Sequence, residues 1–173
     1  MIKMLKALFA CAVLYCPITA AAQNCNLDKD ETDAFTNEHV RSGSNNVGAS
    51  NMHWNFTLSQ KGSKYEWELK VVYNKQLQDP MKKGDAILCK LENGKIVKLI
   101  ADNDYTPSYK VFGDGVIITN ITPKGTLDAA DVKSFSESAL SEMRATLSGR
   151  DIEPKISSKQ GSAIQEIAAC LLK

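Results

Sequence analysis

The chain has 173 residues, 43% of them hydrophobic and 24% charged, with 21 Lys and Arg against 20 Asp and Glu. That is enough for one ordinary domain with its own core, and it lacks the basic excess of a nucleic-acid-binding surface.

The first segment shifts these figures. Met1-Ile-Lys-Met-Leu-Lys6 is basic, the run from Ala7 to Tyr15 is apolar, and Pro17-Ile-Thr-Ala-Ala-Ala22 ends on small side chains. This is the three-part pattern of a secretory signal, residues 1–22, preceding a single mature domain, residues 23–173. Cleavage after Ala22 leaves 151 of the 173 residues, and the loss of Lys3 and Lys6 turns the formal net charge from +1 to −1. It also removes Cys11 and Cys16 from the five cysteines, leaving Cys25, Cys89 and Cys170. An odd number of cysteines in an oxidising compartment leaves one thiol single or paired outside the chain. Spacing does not choose among the three pairings. Cys89 and Cys170, set among apolar neighbours, also fit the reading of two buried thiols acting as small hydrophobes. No later apolar run reaches the roughly 18 residues of a membrane span, and bulky Phe9 and Tyr15 spoil the pattern for a lipid anchor at Cys11 or Cys16.

From Gln23 to Asn51 the chain is polar, with a loop-like Arg41-Ser-Gly-Ser-Asn-Asn46, and only Phe35 and Val40 are expected to add to a core. In the next stretch Met52, Trp54, Phe56 and Leu58 alternate with His53, Asn55 and Thr57, the period of two of a half-buried strand. Gln60-Lys-Gly-Ser63 turns into a second strand, where Tyr65, Trp67, Leu69, Val71 and Tyr73 share a face, predicting a wide-looped antiparallel hairpin. Asn93-Gly94, between Ala86 and Ile100, is a two-residue type I′ turn signal. It would set Leu91 against Ile96, Cys89 against Lys98 and Ile87 against Ile100, with Leu88 and Val97 or Leu99 on the opposite face. Neither face is cleanly polar, which predicts a central position, or a helix on one side and a partly covered second side. Tyr109 to Phe112, Gly113-Asp-Gly115 and Val116 to Ile121 predict a third hairpin, and Pro123 and Gly125 close the β-rich part.

Thr126 or Asp128 caps a helix carrying Ala129, Ala130, Val132 and Phe135. Between Ser136 and Leu147 a continuous helix competes with a short helix followed by a strand. The second is favoured, because the serines from 134 to 141 are poor helix formers and Ser148-Gly-Arg-Asp151 reads as a turn. Ser157 and Gln160 form a capping box for a last helix that buries Ala163, Ile164, Ile167, Ala168, Leu171 and Leu172. The order predicts an α+β fold of antiparallel hairpins packed by a short central helix and a C-terminal helix, with a small β-barrel closed by that helix as the alternative.

Signals for chemistry are few. His39 and His53 lack partners at zinc-ligand spacing, and Asp28-Lys-Asp-Glu-Thr-Asp33 lacks the glycine and glutamate of an EF-hand loop. Cys89 and Cys170 lie among apolar groups that raise a thiol pKa. Asp102 and Asp104 could pair as glycosidase carboxylates, yet their spacing is ordinary turn chemistry. No nucleophile elbow, phosphate loop or dinucleotide fingerprint points to a cofactor or a reaction. Trp54, Tyr65, Trp67 and Tyr73 hold the apolar phase of their strands and are expected in the core. The candidate partner surface is the loop patch of Asp102, Asp104, Tyr105 and Tyr109, where carboxylates and aromatic rings mix.

Lys29-Asp30, Phe35-Thr36, Leu91-Glu-Asn-Gly-Lys-Ile-Val-Lys-Leu99, Glu142-Met-Arg144 and Ala169-Cys170-Leu-Leu172 together resemble a family of small exported proteins of Bacteroidetes, although Asn37 stands where that pattern has glycine. The resemblance implies a Gram-negative exported setting and the helix-then-strand reading near Arg144. It implies no reaction, cofactor or catalytic residue. The functional expectation is a non-enzymatic accessory domain, periplasmic or secreted, that binds another envelope protein or a glycan. The alternatives are a small hydrolase with a site assembled from distant residues and a purely structural envelope domain.

Overall fold

The computed structural model describes residues 25–49 and 52–173, so the expected signal, residues 1–22, lies outside the described residues. Eleven strands and two helices follow in chain order: β1 Lys29–Thr32, β2 His39–Val47, β3 Met52–Lys61, β4 Lys64–Tyr73, β5 Ala86–Leu91, β6 Ile96–Ile100, β7 Ser108–Val111, β8 Ile117–Ile121, β9 Lys124–Leu127, α1 Ala129–Glu137, β10 Leu140–Leu147, β11 Arg150–Ile152 and α2 Ser158–Leu171. The fold is α+β. The hairpins build two sheets, one of seven strands in the order β1-β2-β3-β4-β8-β7 with β9 also on β4, and one of four in the order β11-β10-β5-β6. Neither closes on itself, since β1 and β11 end different sheets, which removes the barrel alternative.

One core joins the inner faces of both sheets to the two helices. Trp54, Phe56, Leu58, Trp67, Leu69 and Val71 supply the large sheet's share, as the alternation of β3 and β4 predicts; Tyr65 and Tyr73 are partly buried and pack on its margin. The β3–β4 loop is a tight two-residue Gly62-Ser63, because pairing continues to Lys61 and Lys64, so the expected wide loop is corrected. Helix α2 begins on the expected capping box, with the Ser157 side chain accepting from Gln160 N–H and the Gln160 side chain accepting from Ser157 N–H. It packs on α1, β2 and β10. Ile164, Ile167, Ala168 and Leu171 are buried as expected, but Leu172 follows the last helical turn and is exposed, and Ala163 is half-buried. Met143, Ala145 and Leu147 alternate inward along β10, so the chain from 136 to 147 is helix and then strand.

The polar leading segment departs from its loop reading. Residues 39–47 form the nine-residue β2, paired along β3 from Val40 opposite Lys61 to Val47 opposite Trp54. Gly43 is required where α2 crosses this strand, because a Cβ there would meet both γ-carbons of Ile167 at 2.9 Å. Phe35, expected in the core, is 97% exposed at the tip of the β1–β2 loop, while Val47 is buried instead. Asp33 Oδ1 accepts from the N–H groups of Phe35 and Thr36, and Asn37 takes φ 56°, a conformation open to asparagine as to glycine. The run 124–127, expected to close the β-rich part, is the added strand β9.

The largest correction concerns β5 and β6. Cys89 lies opposite Val97, not Lys98, and Ile87 opposite Leu99, not Ile100. The loop has three residues, Glu92-Asn93-Gly94, with Leu91 N–H donating to Lys95 O and Gly94, at φ 85°, donating to Leu91 O. Tertiary bonds select this turn: Glu92 N–H reaches Ala139 O at 2.9 Å and Asn93 N–H reaches Ser138 Oγ at 3.1 Å. A one-residue slip reverses every side chain of the strand. Val97 and Leu99 therefore enter the core, and Ile96 and Ile100 stand in solvent at 54% and 43% exposure.

Candidate functional site

Three of the four residues of the expected patch stay on one loop, and the fourth lies on another element. Tyr105 is half-buried and donates its hydroxyl to Asp102 Oδ1; burial first, then this bond, pushes its pKa up to about 12. Its main chain bridges to Met81 and so fastens the loop before β5. Asp104 accepts from Lys83 N–H at 2.8 Å and lies 3.3 Å from Lys82 Nζ, and these contacts, the backbone bond first, hold its carboxyl below the usual carboxylate range. The two carboxylates serve different partners and do not face one proton, as a glycosidase pair would. Tyr109 belongs to another element, β7, and is exposed. Three of the four residues are thus fasteners of a loop, and the ring of the fourth is the one left free.

The cysteines divide cleanly. Cys25 and Cys170 form a disulfide with Cα atoms 5.5 Å apart, tying the start of the described chain to the end of α2. Cys89 is free and fully buried on the inner face of β5, where burial drives its thiol pKa far up and leaves it protonated. His39 bonds Asp30 on the surface at 2.7 Å, and the side chain of His53 lies outside the described part. Among the described residues no group of three or more His, Cys, Asp and Glu converges, and no helix is long and apolar enough to cross a membrane.

A groove of about 580 Å³ lies on the outer face of the four-stranded sheet. Strand pairing builds it row by row: Lys90 of β5 lies between Ile96 of β6 and Glu142 of β10, and Leu88 between Lys98 and Arg144. The segment Glu153-Pro-Lys-Ile156, running from β11 to α2, forms the far wall. Leu88, Ile96 and Ile156 provide an apolar floor, with Ile100 further along the same face of β6. Ion pairs stand around it, Lys90 Nζ to Glu142 Oε1 at 2.7 Å and Arg144 Nε to Glu153 Oε1 at 2.5 Å. All four charged side chains are close to half exposed or more, so the pairs add little stability and can exchange partners readily. The volume falls in the range of ordinary binding clefts.

Sequence reasoning missed this groove. Its signal was the apolar content of both faces of the β5–β6 hairpin, which predicts a central position, or one helix-covered and one partly covered face, but no binding site. The helices cover the inner side, and the surplus stays open.

A second depression, about 370 Å³, lies on the outer face of the large sheet, lined by Ser42, Thr57, Ser59, Glu66, Glu68, Asp102 and Lys124 among others. No protein-family model, curated protein or solved structure matches the chain.

Proposed function

We propose that the protein is an exported, non-enzymatic accessory domain that binds a partner protein of the cell envelope across the outer face of its four-stranded sheet. One observation carries the reading. Leu88 and Ile96, which the core does not use, form an apolar floor beside Ile156 of the wall, bordered by exposed ion pairs, and this matches the apolar centre and polar rim of a protein interface. A mature domain stapled by Cys25–Cys170 suits the oxidising compartment that the signal-like amino terminus implies, and the likeness to small exported Bacteroidetes proteins points the same way.

The test is capture of envelope proteins by the wild type and by Ile96→Asp. The substitution puts a charge on the floor without touching the core, so it is expected to lower capture while the unfolding midpoint is kept. Unchanged capture by a correctly folded Ile96→Asp would overturn the reading.

A further inference from the structure

The seven-stranded sheet ends in two very different edges. At one, β1 reads Lys29-Asp-Glu-Thr32; Lys29 pairs with Glu31 at 2.9 Å, and Asp30 with His39 at 2.7 Å and Arg41 at 3.4 Å. Charges of this density keep another strand from adding. At the other edge, β7 reads Ser108-Tyr-Lys-Val111 and carries one charge. Around it Tyr109, Val111, Phe112 and Val116 are 53%, 63%, 50% and 43% exposed.

The backbone of β7 is open as well. Phe112 N–H donates to Val116 O, which closes the β7–β8 hairpin with a bonded pair. Bonded and non-bonded pairs alternate along an antiparallel ladder, so Lys110 and Ser108 also bond to β8, while Tyr109 and Val111 turn their N–H and C=O groups to the free edge.

From these features we infer that β7 pairs antiparallel with β7 of a second copy of this chain, about a two-fold axis at Val111. Three registers would let the outward groups of Tyr109 and Val111 bond. An axis at Tyr109 sets Val111 against Pro107, which has no N–H to give. An axis at Lys110 sets Lys110 directly against its own copy, a like-charge pair that disfavours the register. The axis at Val111 avoids both: Val111 exchanges two bonds with its copy, and Lys110 lies across from Phe112 of the second copy, beside the turn that carries its Asp114. The contact is self-complementary in shape of pattern and in charge, and it joins the two large sheets edge to edge. It involves neither the groove nor the four-stranded sheet, and so stands apart from the proposed function.

Sedimentation velocity on the mature, disulfide-intact protein tests it, from low micromolar to near-millimolar concentration. The wild type is expected to pass from monomer to dimer over that range. Val111→Lys places two like charges at the axis, and Val111→Pro removes an outward donor while sparing the bonds to β8; each is expected to weaken dimerisation by about tenfold or more. Circular dichroism confirms that the variants fold, and the proline variant serves if the lysine variant does not. A wild type that stays monomeric at every concentration overturns the inference, and so does a dimer that a folded variant at Val111 leaves unweakened.

Discussion

The two sheets share one core and present opposite outer faces. On the large sheet the register sets Ser42, Ser59, Glu66 and Thr126 in one row, and Ser44, Thr57, Glu68 and Lys124 in the next. A half-buried antiparallel sheet is expected to look like this, polar on its wet side. On the small sheet the equivalent face carries Leu88, Ile96 and Ile100 among Lys90, Lys98, Glu142 and Arg144. Both inner faces are complete, with Ile87, Cys89, Leu91, Val97 and Leu99 buried behind the exposed residues. The outer apolar residues of the small sheet are therefore surplus to folding. That surplus is the physical ground for proposing binding at one sheet and support at the other.

Substitutions separate the two roles, in descending size of effect. Replacing both Cys25 and Cys170 with serine frees a crosslink spanning 145 residues of sequence, which on loop closure alone amounts to roughly 5 kcal/mol. Since a domain of this size holds on the order of 5–15 kcal/mol, urea titration is expected to find this variant the least stable of the set. Trp67→Ala, which empties one of the two buried tryptophan sites on the large sheet, is expected to cost about 3–5 kcal/mol in the same measurement. On the small sheet, Leu99→Ala should cost about 2–5 kcal/mol, whereas Ile96→Ala stays near the ±0.5 kcal/mol of surface changes. The reverse ranking would restore the two-residue turn and its register, and would place Ile96 and Ile100 inside.

The smallest effect lies at the loop between the sheets. The Asp104 carboxyl has a folded pKa below its ordinary value, so its stabilisation is complete above the ordinary carboxylate pKa and is lost as pH falls through the lower folded one. Asp104→Asn is expected to flatten that acid limb slightly and to leave capture of the partner unchanged. An acid unfolding profile identical to the wild type would show that Asp104 does not fasten the loop.

The same contrast explains what the sequence could disclose. Strict alternation of large apolar and polar residues made β3 and β4 readable, and the capping box and apolar stripe did so for α2, because these signals are local. β2 was not readable: its Ser, Gly and Asn residues have little strand preference, and it exists because β3 pairs along it and Ile167 crosses it at Gly43. The β5–β6 hairpin shows the limit most plainly. Asn93-Gly94 announced a turn, but with apolar residues on both faces nothing local distinguished the registers; contacts from Asn93 to Ser138, 45 residues away, and from Glu92 to Ala139 decided between them. The groove follows from that register, so it was beyond reach for the same reason. The loop patch drew notice because carboxylates and tyrosines mix there, a composition shared by binding loops and by loops that tie themselves down. Of its members, Asp102, Asp104 and Tyr105 proved to be of the second kind.

The most direct test compares the two outer faces in one experiment. A photo-crosslinking amino acid is placed at Ile96 on the small sheet or at Ser59 on the large one, and the protein is irradiated in intact cells. The account expects a discrete crosslinked envelope protein from position 96, abolished by adding Leu88→Asp, and none from position 59. Crosslinks of equal yield from both positions, or from position 59 alone, would contradict it.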